Sequence, residues 1–172
     1  MNTFIDETRK KIMDASELAS EVQRRQQAGE RGVFTNGCFD LLHLGHIRYL
    51  QEARALGNFL VMGLNSDEGV RALKGEKRPL VPEQERAEIL AALSCIDYVT
   101  IFREKTANAL IARLQPAIYT KGADYVDAHS GLPDTTRLPE AEAVMAYGGT
   151  IKLIPYLPNH STTALIAKIK SL

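Results

Sequence analysis

The sequence has few cysteines and no excess of charge of either sign. Its 172 residues include two cysteines, Cys38 and Cys95, without CxxC spacing, so neither a disulfide framework nor a zinc site is indicated. Lys and Arg together number 21, as do Asp and Glu, so no overall positive field favours binding to nucleic acid or to an anionic membrane. Any binding of phosphate groups must therefore depend on local features.

Long apolar runs are also missing. The charged start, residues 1–11, is followed by no apolar core of signal-peptide length, and no later stretch approaches the length of a membrane span. We therefore expect a cytoplasmic protein with neither a membrane nor nucleic acid among its partners. A chain of this length can bury the core of one domain without disulfides or structural metals.

The most informative stretch, residues 33–46, reads VFTNGCFDLLHLGH. Its first three residues are apolar or β-branched and indicate a buried strand, Asn36-Gly37 indicates a turn, and the apolar residues after position 46 recur at helical spacing. The stretch is therefore predicted to be a parallel strand, a turn and the start of a helix.

Two histidines, His43 and His46, lie three residues apart at the predicted helix start. This spacing puts both imidazoles on one face of the first turn, where free backbone N–H groups and the helix dipole attract anions. Gly45 between them lets phosphates approach the backbone closely. The pattern predicts a phosphate site; structural zinc with Asp40 as third ligand, and a pair of surface histidines, are the alternatives. We interpret Cys38 as a small turn residue and not as a nucleophile.

Strands and helices alternate along the rest of the chain. Amphipathic helices separate further predicted strands at residues 59–64, 98–102, 117–120 and 151–154. This alternation favours an α/β fold, a doubly wound sheet of about five parallel strands flanked by helices. We expect a domain over residues 31–172, with residues 1–30 as a helical extension packed on it. The last helix, from Ser161, has the apolar spacing of a helix docked on a core.

Polar residues follow several predicted strands, and the carboxyl ends of parallel strands are where open α/β sheets bind ligands. The clusters are Asn65 to Asp67, Lys74 and Arg78 in one loop, Lys121 to Tyr125, and Ser161 to Thr163. Three of them have a structural alternative: a helix cap for Asn65 to Asp67 and for Ser161 to Thr163, and a solvated loop for the segment with Lys74 and Arg78. Because the clusters share one edge of the sheet, we expect them to form one site.

The stretch at 33–46 resembles the His-x-Gly-His signature of nucleotidyltransferases, in which the α-phosphate of a nucleoside triphosphate is attacked. From about Arg31 the chain is similar to the D-glycero-β-D-manno-heptose 1-phosphate adenylyltransferases, which implies a Rossmann-like fold. The matching pieces, in order, are the motif itself, Leu64-Asn65-Ser66-Asp67, Leu73-Lys74-Gly75 with Arg78-Pro79, Lys121-Gly122-Ala123-Asp124-Tyr125, and Ser161-Thr162-Thr163. Ala123 stands where the family commonly has a second Gly, and the loop at 126–138 is longer than usual.

The resemblance implies transfer of AMP from ATP to the sugar 1-phosphate with release of pyrophosphate, with Mg²⁺ on the triphosphate and no metal ligand assigned in the protein. It implies catalytic roles for His43, His46, Lys74 and Arg78. Nucleotide binding is assigned to Thr35, Asn36, Gly37, Phe39, Asp40, Gly45, Asn65, Ser161, Thr162 and Thr163. Contacts to the acceptor or the ribose are assigned to Asp67, Lys121, Gly122, Asp124 and Tyr125.

Other nucleotidyltransferases share the opening signature, among them glycerol-3-phosphate cytidylyltransferase and archaeal-type FAD synthetase. Residues 156–160 lack the arginine expected in the cytidylyltransferases, and residues 121–125 fit the heptose enzymes better. A regulatory module that binds nucleotide without catalysis is disfavoured by the intact His43, His46 and Lys74. A homodimer is usual in the family. A separate sugar kinase is expected to supply heptose 1-phosphate, because the chain contains no kinase-sized segment.

Overall fold

The computed structural model describes residues 3–122, 134, 136–155, 157–158 and 160–172. The strands are β1 (Gly32–Gly37), β2 (Phe59–Asn65), β3 (Tyr98–Phe102), β4 (Ile118–Gly122) and β5 (Thr150–Ile154). The helices are α1 (Thr3–Lys10), α2 (Ala15–Gln27), α3 (Leu44–Ala55), α4 (Asp67–Lys74), α5 (Glu83–Ala91), α6 (Asn108–Leu114), α7 (Ala141–Met145) and α8 (Thr162–Lys170). The five predicted strands are confirmed.

The strands form one parallel sheet in the order β3-β2-β1-β4-β5. β1 is central and pairs on both sides, so that Val33 lies between Leu60 of β2 and Ile118 of β4. The chain moves outward from β1 to β3 and then returns past β1 to β4. Doubly wound sheets bind ligands where this direction reverses, at the carboxyl ends of the strands. The predicted fold class is therefore confirmed, and the reversal lies between β1 and β4.

Apolar side chains cover both faces of the sheet, as expected for parallel strands that lie between two layers of helices. Successive residues of β1 point to opposite faces: Val33 packs on the side of α3 and α5, and Phe34 on the side of α2, α6 and α7. Leu50 and Leu90 are fully buried on the first side, and Tyr119 on the second. β1 is thus fixed from both sides, and its carboxyl end has a defined position.

Helix α2 packs on the sheet through its apolar face. Its N-cap is Asp14, whose carboxylate accepts hydrogen bonds from the N–H groups of Ser16 and Glu17. Leu18 and Val22, one helical turn apart, are buried in the core cluster on that side of the sheet. The N-terminal segment is therefore integrated with the sheet through buried contacts.

Three features differ from the sequence-based predictions. Asn36 and Gly37 were predicted to form a turn, but this is wrong, because they pair with Gly63 and Leu64 of β2 as strand residues. Helix α1 was not predicted. Helix α8 was expected to dock on a core, yet none of its residues is buried.

Two further observations concern the chain as a whole. Most of the predicted loop at 126–138 lies outside the described residues. Within the described part of the chain, no helix combines the length and the apolar content that crossing a membrane requires.

The substitution Leu18→Ala tests the packing of α2. Leu18 is fully buried, so truncation should remove apolar contacts, leave a cavity, and lower the free energy of unfolding by about 2–5 kcal/mol. Urea unfolding followed by circular dichroism measures this change. Gln23→Ala, an exposed position on the same helix, is the matched control and should change stability little. Equal stability of the two variants would contradict the packing described above.

Candidate active site

A cavity of about 650 Å³ opens at the carboxyl ends of β1 and β4. It is bounded by the segment after β1, the start of α3, the end of α4, the end of β4 and the start of α8. Its described lining is Asn36, Gly37, Cys38, Phe39, His43, Gly45, His46, Tyr49, Lys74, Lys121, Gly122, Leu157, Pro158, His160, Ser161, Thr162, Thr163 and Ala164. No Asp or Glu occurs among these lining residues, so the cavity suits an anionic ligand.

The two histidines of the motif lie side by side in this cavity. The rings of His43 and His46 stack with centroids 3.9 Å apart, and Phe39 packs against His46 at 5.2 Å. The Nδ1 atoms of both histidines are buried and have no hydrogen-bond partner. Buried polar atoms are normally paired, so two unpartnered nitrogens side by side mark this pair of histidines as a candidate functional site.

The backbone around the histidines is tightly constrained. Phe39 has a φ of 42°, a left-handed conformation that is uncommon for a bulky residue and is typical of functional sites. A Cβ atom at Gly45 would lie 3.0 Å from ring atoms of His43 and 3.1 Å from the Cβ of His160. Glycine at position 45 therefore allows the starts of α3 and α8 to approach each other across the cavity.

Burial controls the charge of the imidazoles. It lowers the pKa of His46 to about 4, with smaller contributions from His43 and from the positive charge of Lys74. The pKa of His43 is also lowered, chiefly by burial and secondarily by His160. Both rings are therefore neutral in the free protein at neutral pH. Phosphate charge placed beside them would raise these pKa values again and favour the cationic forms.

Two lysines bring positive charge to the cavity from different elements. Lys74 ends α4, and Gly75 follows it as C-cap with a φ of 91°, a conformation that favours glycine. Lys121 on β4 is half-buried and donates a hydrogen bond from Nζ to the carbonyl of Asn36 at 2.9 Å. Burial lowers the pKa of Lys121, while Glu140 acts in the opposite direction. The structure thus brings both predicted lysines to the same site.

Asn36 and Thr35 occupy different positions relative to the cavity. Asn36 lines it, and its Oδ1 accepts a hydrogen bond from the Tyr119 hydroxyl at 2.8 Å. Thr35 is fully buried behind the lining, where its hydroxyl lies 2.6 Å from that of Tyr49. Asn36 can contact a ligand directly, whereas the described contacts of Thr35 position Tyr49.

Cys38 also lines the cavity, and burial raises the pKa of its thiol. The thiol is therefore protonated at neutral pH. Because the thiolate is the nucleophilic form, this environment agrees with a small packing residue and not with a nucleophile.

Arg78 was predicted to contact phosphates, but the structure places it in an ion pair outside the described lining. Its guanidinium contacts the Asp40 carboxylate, with the Nε atom 2.5 Å from Oδ2. Asp40 also accepts hydrogen bonds from the N–H groups of Leu80 and Val81, at 2.8 and 3.0 Å. Asp40, predicted to bind nucleotide, therefore anchors the loop that follows Lys74. Arg78 helps to anchor the same loop, because its charge is already paired with the carboxylate of Asp40.

Asn65 and Asp67 are likewise held by protein groups. The fully buried Arg86 of α5 donates to the carbonyl of Asn65 at 3.0 Å and to the carboxylate of Asp67 at 2.6 Å. It also donates to the carbonyls of Cys38 and Val81 at 2.6 and 2.9 Å. The sequence analysis missed Arg86. Its signal was its position four residues before the buried Leu90, which places it on the inner face of α5.

The start of α8 forms part of the cavity wall, close to the start of α3. Ser161 is its N-cap and accepts a hydrogen bond from the N–H of Ala164 at 3.0 Å. Thr162 and Thr163 follow in the first turn, whose other N–H groups have no partner within the helix. The cap interpretation is thus confirmed for Ser161, and the same helix start can still bind an anion. Asp124 and Tyr125, the remaining predicted residues, lie outside the described part of the chain.

Taken together, the fold and the cavity define an α/β protein with a cavity suited to an anionic ligand at its topological switch point. A family model described as cytidylyltransferase-like matches residues 34–168. The chain belongs to this family. The fold and the nucleotidyltransferase class predicted from the His-x-Gly-His motif are thereby confirmed.

Curated relatives are similar along most of this chain. The bifunctional protein HldE of Pelobacter propionicus is 52% identical over 163 residues, which cover 92% of this chain and 31% of that protein. The HldE protein of Helicobacter pylori is 46% identical over 170 residues, covering 97% of this chain and 33% of its own length. The chain thus spans about a third of the length of these relatives.

Solved structures share the fold. The lipopolysaccharide core biosynthesis protein of Thermoplasma volcanium has a TM-score of 0.58 at 26% identity, covering 75% of this chain and 98% of its own. A pantoate-beta-alanine ligase from Francisella tularensis, at 15% identity and a TM-score of 0.54, covers 92% of this chain and 76% of its own. The second likeness concerns the fold alone.

The substitution Asp40→Asn tests the anchoring of the loop after Lys74. Burial alone would raise the pKa of Asp40, but the N–H groups of Val81 and Leu80 and the Arg78 guanidinium outweigh it, and the pKa is lowered. An amide keeps one acceptor and turns a donor toward Arg78, so unfolding free energy at pH 7 should fall by about 1–3 kcal/mol.

The pH dependence of this difference follows from the lowered pKa. The stabilisation is present above the carboxyl pKa of the unfolded chain, near 3.9, and is lost as the pH falls through the folded-state value. Urea unfolding from pH 7 downward should therefore show the two proteins converging below about pH 4. Glu76→Gln, in the same loop and exposed, is the control. A difference that persists unchanged at low pH would contradict the role of the carboxylate charge.

The lowered pKa of His46 gives a second prediction for this site. In the free protein, ¹⁵N NMR of the imidazole should show titration at a pKa of about 4. Addition of ATP with Mg²⁺ should raise the pKa of His46, because phosphate oxygens offset the burial and the charge of Lys74. His46→Gln identifies the resonance. An unchanged pKa at saturating ATP would contradict contact between this imidazole and the phosphates.

Proposed function

We propose that the chain transfers AMP from ATP to D-glycero-β-D-manno-heptose 1-phosphate, forming ADP-heptose and pyrophosphate. The observation that carries this proposal is the pair of stacked imidazoles of the His-x-Gly-His motif. They line a cavity together with the start of α8, and the described lining of that cavity has no carboxylate. Family membership supports nucleotidyl transfer. Relatives named HldE and a structural neighbour named for lipopolysaccharide core biosynthesis support the sugar substrate.

The reaction needs positioning and charge stabilisation more than proton transfer. An oxygen of the sugar phosphate attacks the α-phosphorus of ATP, a new P–O bond forms, and the bond from the α-phosphorus to the bridging oxygen breaks. The electron pair leaves with pyrophosphate. The nucleophile is already anionic at neutral pH, so no general base is required.

Each part of the cavity has a role in this scheme. His43 and His46 donate hydrogen bonds to the α- and β-phosphates, where negative charge increases in the transition state. Lys74 stabilises the same charge and the departing pyrophosphate. The N–H groups at the start of α8, beside Ser161 and Thr163, bind the β- and γ-phosphates. Lys121 contacts the acceptor or the ribose.

Magnesium is expected with the triphosphate, as is general for phosphoryl-group transfer. Among the described residues no group of three or more His, Cys, Asp or Glu could hold a metal ion. The described lining of the cavity also offers no carboxylate. These residues fit an ion that is coordinated by the phosphates and enters with ATP as part of the substrate. When bound, the ion neutralises phosphate charge.

The acceptor and the nucleotide can be tested together by measuring pyrophosphate release. The purified protein is supplied with Mg²⁺ and with either ATP or CTP, each combined with heptose 1-phosphate or glycerol 3-phosphate. We expect turnover with ATP and heptose 1-phosphate only. Turnover with CTP and glycerol 3-phosphate would replace the proposal by a cytidylyltransferase activity. Absence of turnover in all four mixtures would contradict it and favour a regulatory module.

The substitution His46→Ala tests the catalytic role of this half-buried imidazole. Loss of one donor to developing phosphate charge should lower kcat by about 10²–10³-fold. Circular dichroism and Tm should stay close to those of the unmodified protein. Arg48→Ala, exposed on the same helix and absent from the described lining, is the matched control and should retain full activity. Nearly full activity of the His46 variant would contradict this role.

A further inference from the structure

A third histidine lines the cavity, and neither the motif nor the mechanism above uses it. His160 precedes the N-cap of α8 and faces the start of α3 across Gly45. Its Cβ would lie 3.1 Å from a Cβ placed on Gly45. His160 is exposed, so its position within the cavity is not explained by packing in a core.

The hydrogen bond of His160 determines which of its forms can bind an anion. Its Nδ1 lies 2.8 Å from the carbonyl oxygen of Pro158. A carbonyl only accepts, so Nδ1 carries the proton, and Nε2 is the ring nitrogen left for a ligand. In the neutral ring with this tautomer, Nε2 has a lone pair and cannot donate to a phosphate oxygen. Only the imidazolium form donates from Nε2 while keeping the bond to Pro158.

The surroundings of His160 point to the same conclusion. The titratable groups in the described lining of the cavity are His43, His46 and Tyr49 from α3, Cys38 after β1, Lys74 from α4 and Lys121 from β4. None of these supplies a negative charge at neutral pH, since burial keeps the thiol of Cys38 and the hydroxyl of Tyr49 protonated. Among the described lining residues a cationic His160 therefore has no counter-charge, and a bound anion would supply one.

We propose that His160 binds the phosphates of the nucleotide as an imidazolium, so that nucleotide binding is coupled to proton uptake at this ring. The inference rests on the proposed function, because the nucleoside triphosphate supplies the anion. It assigns to His160 a role in affinity for the nucleotide, distinct from the stabilisation of the transition state by His43 and His46. On binding, the neutral ring takes up one proton from the solvent at Nε2, and this N–H donates a hydrogen bond to a phosphate oxygen.

Calorimetry tests this directly with ATP and Mg²⁺ and without a sugar phosphate. Binding enthalpies measured at pH 8 in buffers of different ionisation enthalpy give the number of protons taken up. The unmodified protein should take up more protons than His160→Ala, by up to about one per site. The Ala variant should bind ATP about tenfold or more weakly, because a charge-assisted hydrogen bond is lost.

His160→Arg distinguishes charge from shape, because arginine is permanently cationic. This variant should restore much of the affinity without restoring the proton uptake. Lys168→Gln, which removes an exposed cation from the last turn of the same helix, should match the unmodified protein in both quantities. Steady-state kinetics should agree with the binding data: His160→Ala should raise KM for ATP, whereas kcat should change little.

The outcomes separate the two proposals. Equal proton uptake and equal affinity in the unmodified protein and in His160→Ala would overturn the role of His160, while ATP binding itself would leave the proposed function intact. If the unmodified protein binds no ATP, the proposed function fails, and the inference about His160 fails with it. A fall in kcat with unchanged KM would also overturn it, since that pattern indicates a contact made only in the transition state.

Discussion

A single buried guanidinium connects the segments that carry the site. Arg86 donates to carbonyls after β1, at the end of β2 and before α5, and also to the carboxylate of Asp67 at the start of α4. Burying a charge is costly unless hydrogen bonds satisfy it, so these acceptors cannot move away independently. The positions of Cys38 and of the first turn of α4 are therefore fixed by one side chain that does not line the cavity. Asp40 anchors the loop after Lys74 in the same way, by accepting hydrogen bonds from the N–H groups of Leu80 and Val81.

The direction of the strands explains why much of the site could be predicted. In a parallel sheet all carboxyl ends of the strands lie at one edge. Residues far apart in sequence, such as Asn36 and Lys121, can therefore be predicted to lie close together before any contact between them is known. The helix start carrying His46 could be identified from apolar spacing, and the start at Ser161 from its cap and its spacing. The five strands could be identified because each is a short apolar run, a signal that does not depend on the rest of the fold.

The remaining features depend on tertiary partners that local patterns do not reveal. Arg78 has the sequence context of a phosphate-binding cation, and only the folded chain shows that Asp40 has already paired its charge. The spacing of Arg86 places it on the inner face of α5, but the carbonyls that satisfy its charge are known only from the folded chain. Asn36-Gly37 is a strong turn signal, but pairing with β2 on one edge of β1 overrides it. For α8, apolar spacing predicted burial, and spacing alone does not say whether another surface is present to cover the helix.

The exposure of α8 has a consequence for how the cavity holds together over time. One wall belongs to the central strands, whose side chains are buried on both faces, and the opposite wall begins a helix without a buried residue. Local opening costs least where few apolar contacts are lost, so amide hydrogens of α8 should exchange with solvent long before those of β1. The two walls thus belong to units of unequal stability. The cavity can lose the wall formed by α8 through fraying of one helix while the sheet stays folded. Under the proposed function, a bound nucleotide that contacts both walls would join them into one cooperative unit.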